Sequence, residues 1–141
     1  MSFMSVEFVD TNVIVYAHDP AAVRKSPVAR QLLERLWDSN SGVVSIQVLQ
    51  ELYVVLTRKG QSPLTPRRTI EIVEGLAAWT THRPTAGDIV AAARLSTRHQ
   101  LSFWDAMVVR SALQTGAEIL WTEDLQHGQK IESVEIRNPF V

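Results

Sequence analysis

The chain has no cysteine among its 141 residues. Disulfides, thiolate zinc sites and a cysteine nucleophile are thereby excluded, and the absence suits a reducing compartment. Long apolar runs are missing too. None approaches the roughly 20 residues that span a bilayer, and Met1-Ser2-Phe3-Met4-Ser5 lacks the basic start and apolar stretch of a signal peptide. A cytoplasmic protein without membrane contact is expected. Nor does one charge dominate, since fourteen basic residues face fifteen acidic ones for a net charge of -1. That argues against coating nucleic acid by bulk electrostatics, but not against local contact. His18, His82, His99 and His127 have no metal-ligand spacing and are expected on the surface or in loops. There is no glycine-rich phosphate loop and no nucleophile elbow. With no repeat, low-complexity segment or linker, 45% hydrophobic and 21% charged residues describe one ordinary domain over 1–141.

What is present alternates between two periods. Val6-Glu7-Phe8-Val9, apolar and β-branched apart from Glu7, predicts a buried strand that stops at Asp10. Thr11 or Asn12 then caps a short helix broken by Asp19-Pro20. Ser26-Pro27 restarts a helix as N-cap and first residue, with Ala29, Leu32, Leu33 and Leu36 on one stripe until Ser39-Asn40-Ser41-Gly42. Gly42–Ser45 reads as a second buried strand. Ser45 caps a helix with Leu49, Leu52, Tyr53 and Leu56 inward, and the loop from Arg58 to Pro63 stops it. Thr65-Pro66 opens another, with Ile70, Val73 and Leu76 or Ala77 facing the core. After a short strand at 79–82, Thr85 and Asp88 have capping-box spacing ahead of an alanine-rich helix ending at His99. Ser102 and Asp105 repeat the spacing, Ala106, Val109 and Leu113 point inward, and Gly116 ends that helix. Strands at 117–121 and 134–137 follow. The alternation predicts an α/β fold, a central parallel sheet of about five strands with helices on both faces.

In such sheets ligands gather outside the carboxyl ends of the strands, where Asp10 stands. Glu51 lies beside the stripe of its helix, Asp105 in a first helical turn, and Asp124 just beyond a strand. Each has a plain structural reading: Asp10 a turn or cap, Glu51 an exposed helix acid, Asp105 the partner of Ser102, Asp124 a turn or the cap of Leu125-Gln126-His127. Together they can meet at one sheet edge. Gathered carboxylates raise one another's pKa unless a cation compensates, and an all-oxygen set suits Mg2+ or Mn2+ rather than zinc. Such ions could activate water against a phosphodiester, with Thr11, Asn12 and Thr122 orienting carboxylates or water. Arg58-Lys59, Arg67-Arg68, Arg94 and Arg98 are read as exposed helix charge, and Trp37, Trp79, Trp104 and Trp121 as core or interface.

Phe8-Val9-Asp10-Thr11-Asn12, Glu51 after Val48-Leu49-Gln50, Phe103-Trp104-Asp105-Ala106 and Trp121-Thr122-Glu123-Asp124-Leu125-Gln126-His127-Gly128 together resemble a PIN domain. The ending Val134-Glu135-Ile136-Arg137-Asn138-Pro139-Phe140 resembles the compact bacterial VapC-like toxins of type II toxin–antitoxin systems. The resemblance implies a metal-dependent endoribonuclease with Asp10, Glu51, Asp105 and Asp124 at the acidic positions, a homodimer, and a small antitoxin as partner. Glu123 stands beside Asp124 and can share its role. Arg110 departs from the small residue expected on its helix, and is expected to meet RNA or a second subunit.

Two other classes compete with an RNA-cleaving toxin. A PIN-like module that binds RNA or protein without cutting has no evident need for clustered acids beside phosphates. A phosphatase with Asp10 as nucleophile is disfavoured by Asn12, where many such enzymes carry a second aspartate.

Overall fold

A computed structural model describes residues 5–58 and 63–141; residues 1–4 and the predicted loop centre at 59–62 lie outside it. Strand β1 (Glu7–Val9) leads into α1 (Thr11–Ala17) and α2 (Lys25–Ser39). Then come β2 (Gly42–Ser45), α3 (Ile46–Arg58), α4 (Pro66–Leu76) and β3 (Thr80–His82). The chain continues through α5 (Ala86–His99), α6 (Phe103–Gln114), β4 (Ile119–Trp121), β5 (Lys130–Ile131) and β6 (Val134–Arg137). The strand order is β3-β2-β1-β4-β6-β5, parallel at every pairing except β5 with β6. Right-handed crossovers put α1 to α4 on one face, and the α5–α6 pair, which carries the chain back past β1, on the other. The sheet thus has six strands rather than five. The added β5 has two residues, too few to show a period, and turns into β6 through Glu132 at φ 53°.

Phe8, Val9, Val44, Leu120 and Ile136 are fully buried, so the middle of the sheet is the core. Glu7 is the exception inside β1 and is answered directly. Arg35 donates to both its oxygens at 3.0 and 2.9 Å, and Trp121 Nε1 donates at 2.7 Å. Burial pushes the Glu7 carboxyl up, but these bonds outweigh it and leave it below the usual range. No helix among the described residues is long and apolar enough to cross a membrane.

Several local expectations need correction. Asp10, whose plain structural reading included a cap, caps α1 in place of Thr11 or Asn12. Helix α2 begins before Ser26, whose N–H donates to Ala22 O while its hydroxyl accepts from Arg30. Proline within a first turn removes a donor that has no helical acceptor anyway, so Pro27 fits either start. On α3, Val48 joins Leu49, Leu52 and Leu56 inside, and Tyr53 is exposed. On α4 the buried face is Thr69, Ile72 and Leu76, with Ile70 exposed. Both capping expectations at Thr65 and at Thr85 with Asp88 hold, the latter as a full capping box.

His82 is not a surface residue. Its Nδ1 lies 2.8 Å from Ser111 Oγ and its Nε2 3.2 Å from Asp88 Oδ2. Serine, histidine and aspartate therefore meet in space, but Ser111 is fully buried inside α6, where no substrate reaches it. Arg110 donates to the other Asp88 oxygen at 2.9 Å. The arginine expected to meet RNA or another subunit instead ties α6 to α5.

Candidate active site

Asp10 follows β1 and Thr122 follows β4, the two neighbouring strands from which the chain departs in opposite directions along the sheet. A crevice opens at that switch point beyond the carboxyl ends of parallel strands. Asp10 Oδ1 accepts the Thr11 N–H at 2.8 Å, and Oδ2 accepts the Thr122 hydroxyl at 2.9 Å. Thr122 is fully buried and also accepts from Asp124 N at 3.1 Å and Asn12 Nδ2 at 3.2 Å. Asn12 Nδ2 in turn donates to Asp124 Oδ2 at 2.9 Å, and its Oδ1 accepts the Glu123 N–H at 3.3 Å. The segment after β4 is thereby folded around Asn12.

Helix α3 brings Glu51 to the same place. Its Oε2 accepts the Thr11 hydroxyl at 3.2 Å, and its Oε1 accepts Gln47 Nε2, one turn back, at 3.1 Å. Asp105 comes from the first turn of α6. Ser102 Oγ accepts the Asp105 N–H at 3.1 Å, while the Asp105 carboxylate lines the cavity instead of completing a capping box. Asp10, Glu51, Asp105 and Asp124 all line one cavity of about 640 Å³, together with Thr11, Asn12 and Glu123. Of the eight residues named from sequence, only Thr122 is withdrawn from that wall, lying behind Asp10.

Charge behaves as clustering requires. Burial, reinforced by the neighbouring Asp124 and Glu51 carboxylates, pushes Asp10 up to about 7 against the bonds from Thr11 and Thr122. His18, also in the wall, is held below its usual value by burial and by the charges of Arg68 and Arg30, which favours its neutral form. Glu123 has a different setting from Asp124: Tyr16 OH and Lys25 Nζ each bond one of its oxygens at 2.8 Å. A lysine already neutralises Glu123, whereas among the described residues the Asp124 carboxylate accepts from the neutral amide of Asn12.

Among the described residues no three acid or histidine side chains converge into a ready metal shell. The donor chemistry nevertheless fits a hard divalent cation. The wall offers carboxylate oxygens, and the buried Asp10 has no basic partner among the described residues and is shifted toward its protonated form, the condition a cation would relieve. Sequence reasoning missed Gln47, Tyr16 and Lys25, each a partner of a cavity acid. Gln47 carried a usable signal, since it precedes Glu51 by one helical turn. Lys25 and Tyr16 meet Glu123 only through the tertiary fold.

The family model of the PIN domain matches residues 8–130, and the chain belongs to that family. No curated protein sequence matches it. Among solved structures it is similar to Mycobacterium tuberculosis VapC20, a sarcin-ricin loop cleaving toxin, at 22% identity and TM-score 0.63 over 84% of this chain and 91% of that one. A toxin–antitoxin complex from Klebsiella pneumoniae gives 19% identity and TM-score 0.67, covering 92% of this chain and 95% of that one. DNA-bound VapBC from Salmonella typhimurium gives 18% and 0.65 over 96% and 99%. At these identities the likeness is one of fold.

Proposed function

We propose that residues 1–141 form one PIN domain acting as a metal-dependent endoribonuclease, the toxin of a toxin–antitoxin pair. The observation that carries this reading is the meeting of Asp10, Glu51, Asp105 and Asp124, from four separate elements, around one cavity beyond the carboxyl ends of β1 and β4. The four carboxylates hold Mg2+ or Mn2+, which when bound supplies Lewis-acid activation of water and charge stabilisation at the phosphodiester. Asp10 is central to the set: Thr11 N–H and Thr122 fix its two oxygens, and its raised pKa marks it as an acid that gains from a cation. Asn12 and Thr122 hold Asp124, Thr11 and Gln47 orient Glu51, and Glu123 is held by Lys25 and Tyr16 at the rim. Membership of the PIN family supports the nuclease class, and the likeness to VapC20 and to toxin–antitoxin complexes supports the rest. On this reading the protein is a cytoplasmic homodimer whose partner is a small antitoxin.

Purified protein, freed of any copurified inhibitor, is incubated with total cellular RNA and Mg2+ or Mn2+, with EDTA, and as Asp10→Asn. Metal-requiring fragments that disappear in the variant are expected. RNA bound but left whole under every metal condition would replace the nuclease by a non-catalytic binding module.

A further inference from the structure

The cavity is more than an acid cluster. Beside the carboxylates part of its wall is apolar, formed by Val15, Pro20, Val55, Leu64 and Val108, and Trp104 lines the same cavity with 65% of its surface exposed. A phosphodiester needs no such wall, being charged and hydrated. Trp104 immediately precedes Asp105, so its indole is tied to the acidic floor by a single peptide unit. Phe103 meets the ring edge-on at 5.2 Å and 72°, and Gln47 Nε2, the amide that also bonds Glu51, fixes the Trp104 backbone by donating to its carbonyl at 3.4 Å. An exposed indole kept in place beside carboxylates has a face ready for another flat ring, and tryptophan stacks on any base.

We propose that Trp104 and the adjoining apolar wall form a subsite for an unpaired nucleobase next to the phosphodiester at the acids, making Trp104 a substrate-positioning residue. The inference rests on the nuclease reading above and narrows its substrate. A base paired within an A-form helix keeps both faces stacked and cannot enter, so the RNA bond attacked lies in a loop, bulge or single strand. Stacking tolerates every base, so this subsite selects for an unpaired state rather than for sequence.

The test measures binding apart from cleavage. In the Asp10→Asn background, a fluorescein-labelled oligo(A) ten-mer, the same strand paired with oligo(U), and an abasic ten-mer of equal charge are titrated by anisotropy. Trp104→Ala is expected to weaken oligo(A) binding roughly tenfold to a hundredfold while leaving the abasic strand unchanged, and Trp104→Phe to recover much of the loss. The affinity for the duplex, whose bases are already stacked, should not depend on Trp104. Thermal melting confirms that the variants fold, as expected for an exposed side chain. Equal affinity of Trp104→Ala and its parent for oligo(A), or an equal loss on the abasic strand, would overturn the subsite. The two readings fail separately. RNA cleaved with an unchanged KM by Trp104→Ala removes the subsite and keeps the nuclease; Trp104-dependent binding with no cleavage by the wild type removes the nuclease and keeps the subsite.

Discussion

Asp10 serves the fold and the cavity in opposing ways. As N-cap it satisfies an otherwise free N–H of α1, yet ionised and buried it opposes folding. The sign follows from linkage. Its folded pKa, about 7, lies above the ordinary value of 3.8, so the folded state holds the extra proton between those two values. Its contribution is therefore fully present below pH 3.8 and is lost as pH rises toward 7. Asn keeps the capping oxygen and has no charge to bury. Asp10→Asn in EDTA should thus match the wild type near pH 4 and exceed it by about 2–4 kcal/mol at pH 8, as measured by urea unfolding. Parallel pH profiles for the two proteins would contradict the buried charge. Thr122→Val makes the complementary change. It removes the hydroxyl that donates to Asp10 and accepts from Asn12 and from Asp124 N, and should cost about 1–3 kcal/mol and raise the Asp10 pKa further, read by carboxyl NMR titration. At this scale Asp10, Asp105 and Asp124 were legible in the sequence because each stands where an element begins or ends, and Glu51 because it lies at the edge of a helical stripe. Among their partners Thr11, Asn12 and Thr122 were named as well, but Lys25 was not, since it and Glu123 are joined only by folding.

Elements were legible where periodicity admitted one answer. Helix α4 admitted two: Ile70 and Val73 with Leu76 or Ala77 make one face, and Thr69, Ile72 and Leu76 make another. The second is buried because Thr69 donates its hydroxyl to Thr65 O at 2.9 Å, which lets a polar residue turn its methyl inward. Asp88 shows the same limit. Its cap was readable from Thr85, but its buried pairing with Arg110 and His82 joins α5 to β3 and α6. The Thr85 backbone bond and then Arg110 hold the Asp88 carboxyl down at about 2, so its contribution is present above 3.8 and is lost as pH falls toward 2. Asp88→Ala would strand Arg110 and undo the cap, and should cost about 3–5 kcal/mol by denaturant unfolding. Close approach sets a second limit on β2. A Cβ on Gly42 would stand 2.6 Å from the Trp79 ring, so Gly42→Ala should lower stability by about 1–3 kcal/mol. Trp79→Phe removes the outer ring, and the two substitutions together should cost less than their sum in thermal melts.

For the whole molecule, a net charge near zero conceals an uneven distribution. Setting aside the four acids proposed to hold metal, the bases outnumber the remaining acids by three, a balance that favours phosphates outside the cavity. The sequence supplied the totals, but only the sheet order brings β1 beside β4 and turns scattered acids into a local field. That field makes divalent and monovalent cations act in opposite directions. Sodium chloride screens the basic exterior and should weaken RNA binding. Mg2+ or Mn2+ held among the carboxylates removes the repulsion at the cavity, and should strengthen RNA binding roughly tenfold at constant ionic strength if it offsets even one unpaired charge. On the proposed function the same ions would bind only the folded chain, so at a hundred times their dissociation constant they should stabilise it by about 2.7 kcal/mol, reversed by EDTA. Asp10→Asn should lose most of both effects while keeping the response to sodium chloride. If Mg2+ and sodium chloride weaken RNA binding alike, and melting temperature ignores the divalent ion, the carboxylates do not hold a metal. The positive exterior would then account for RNA binding by itself.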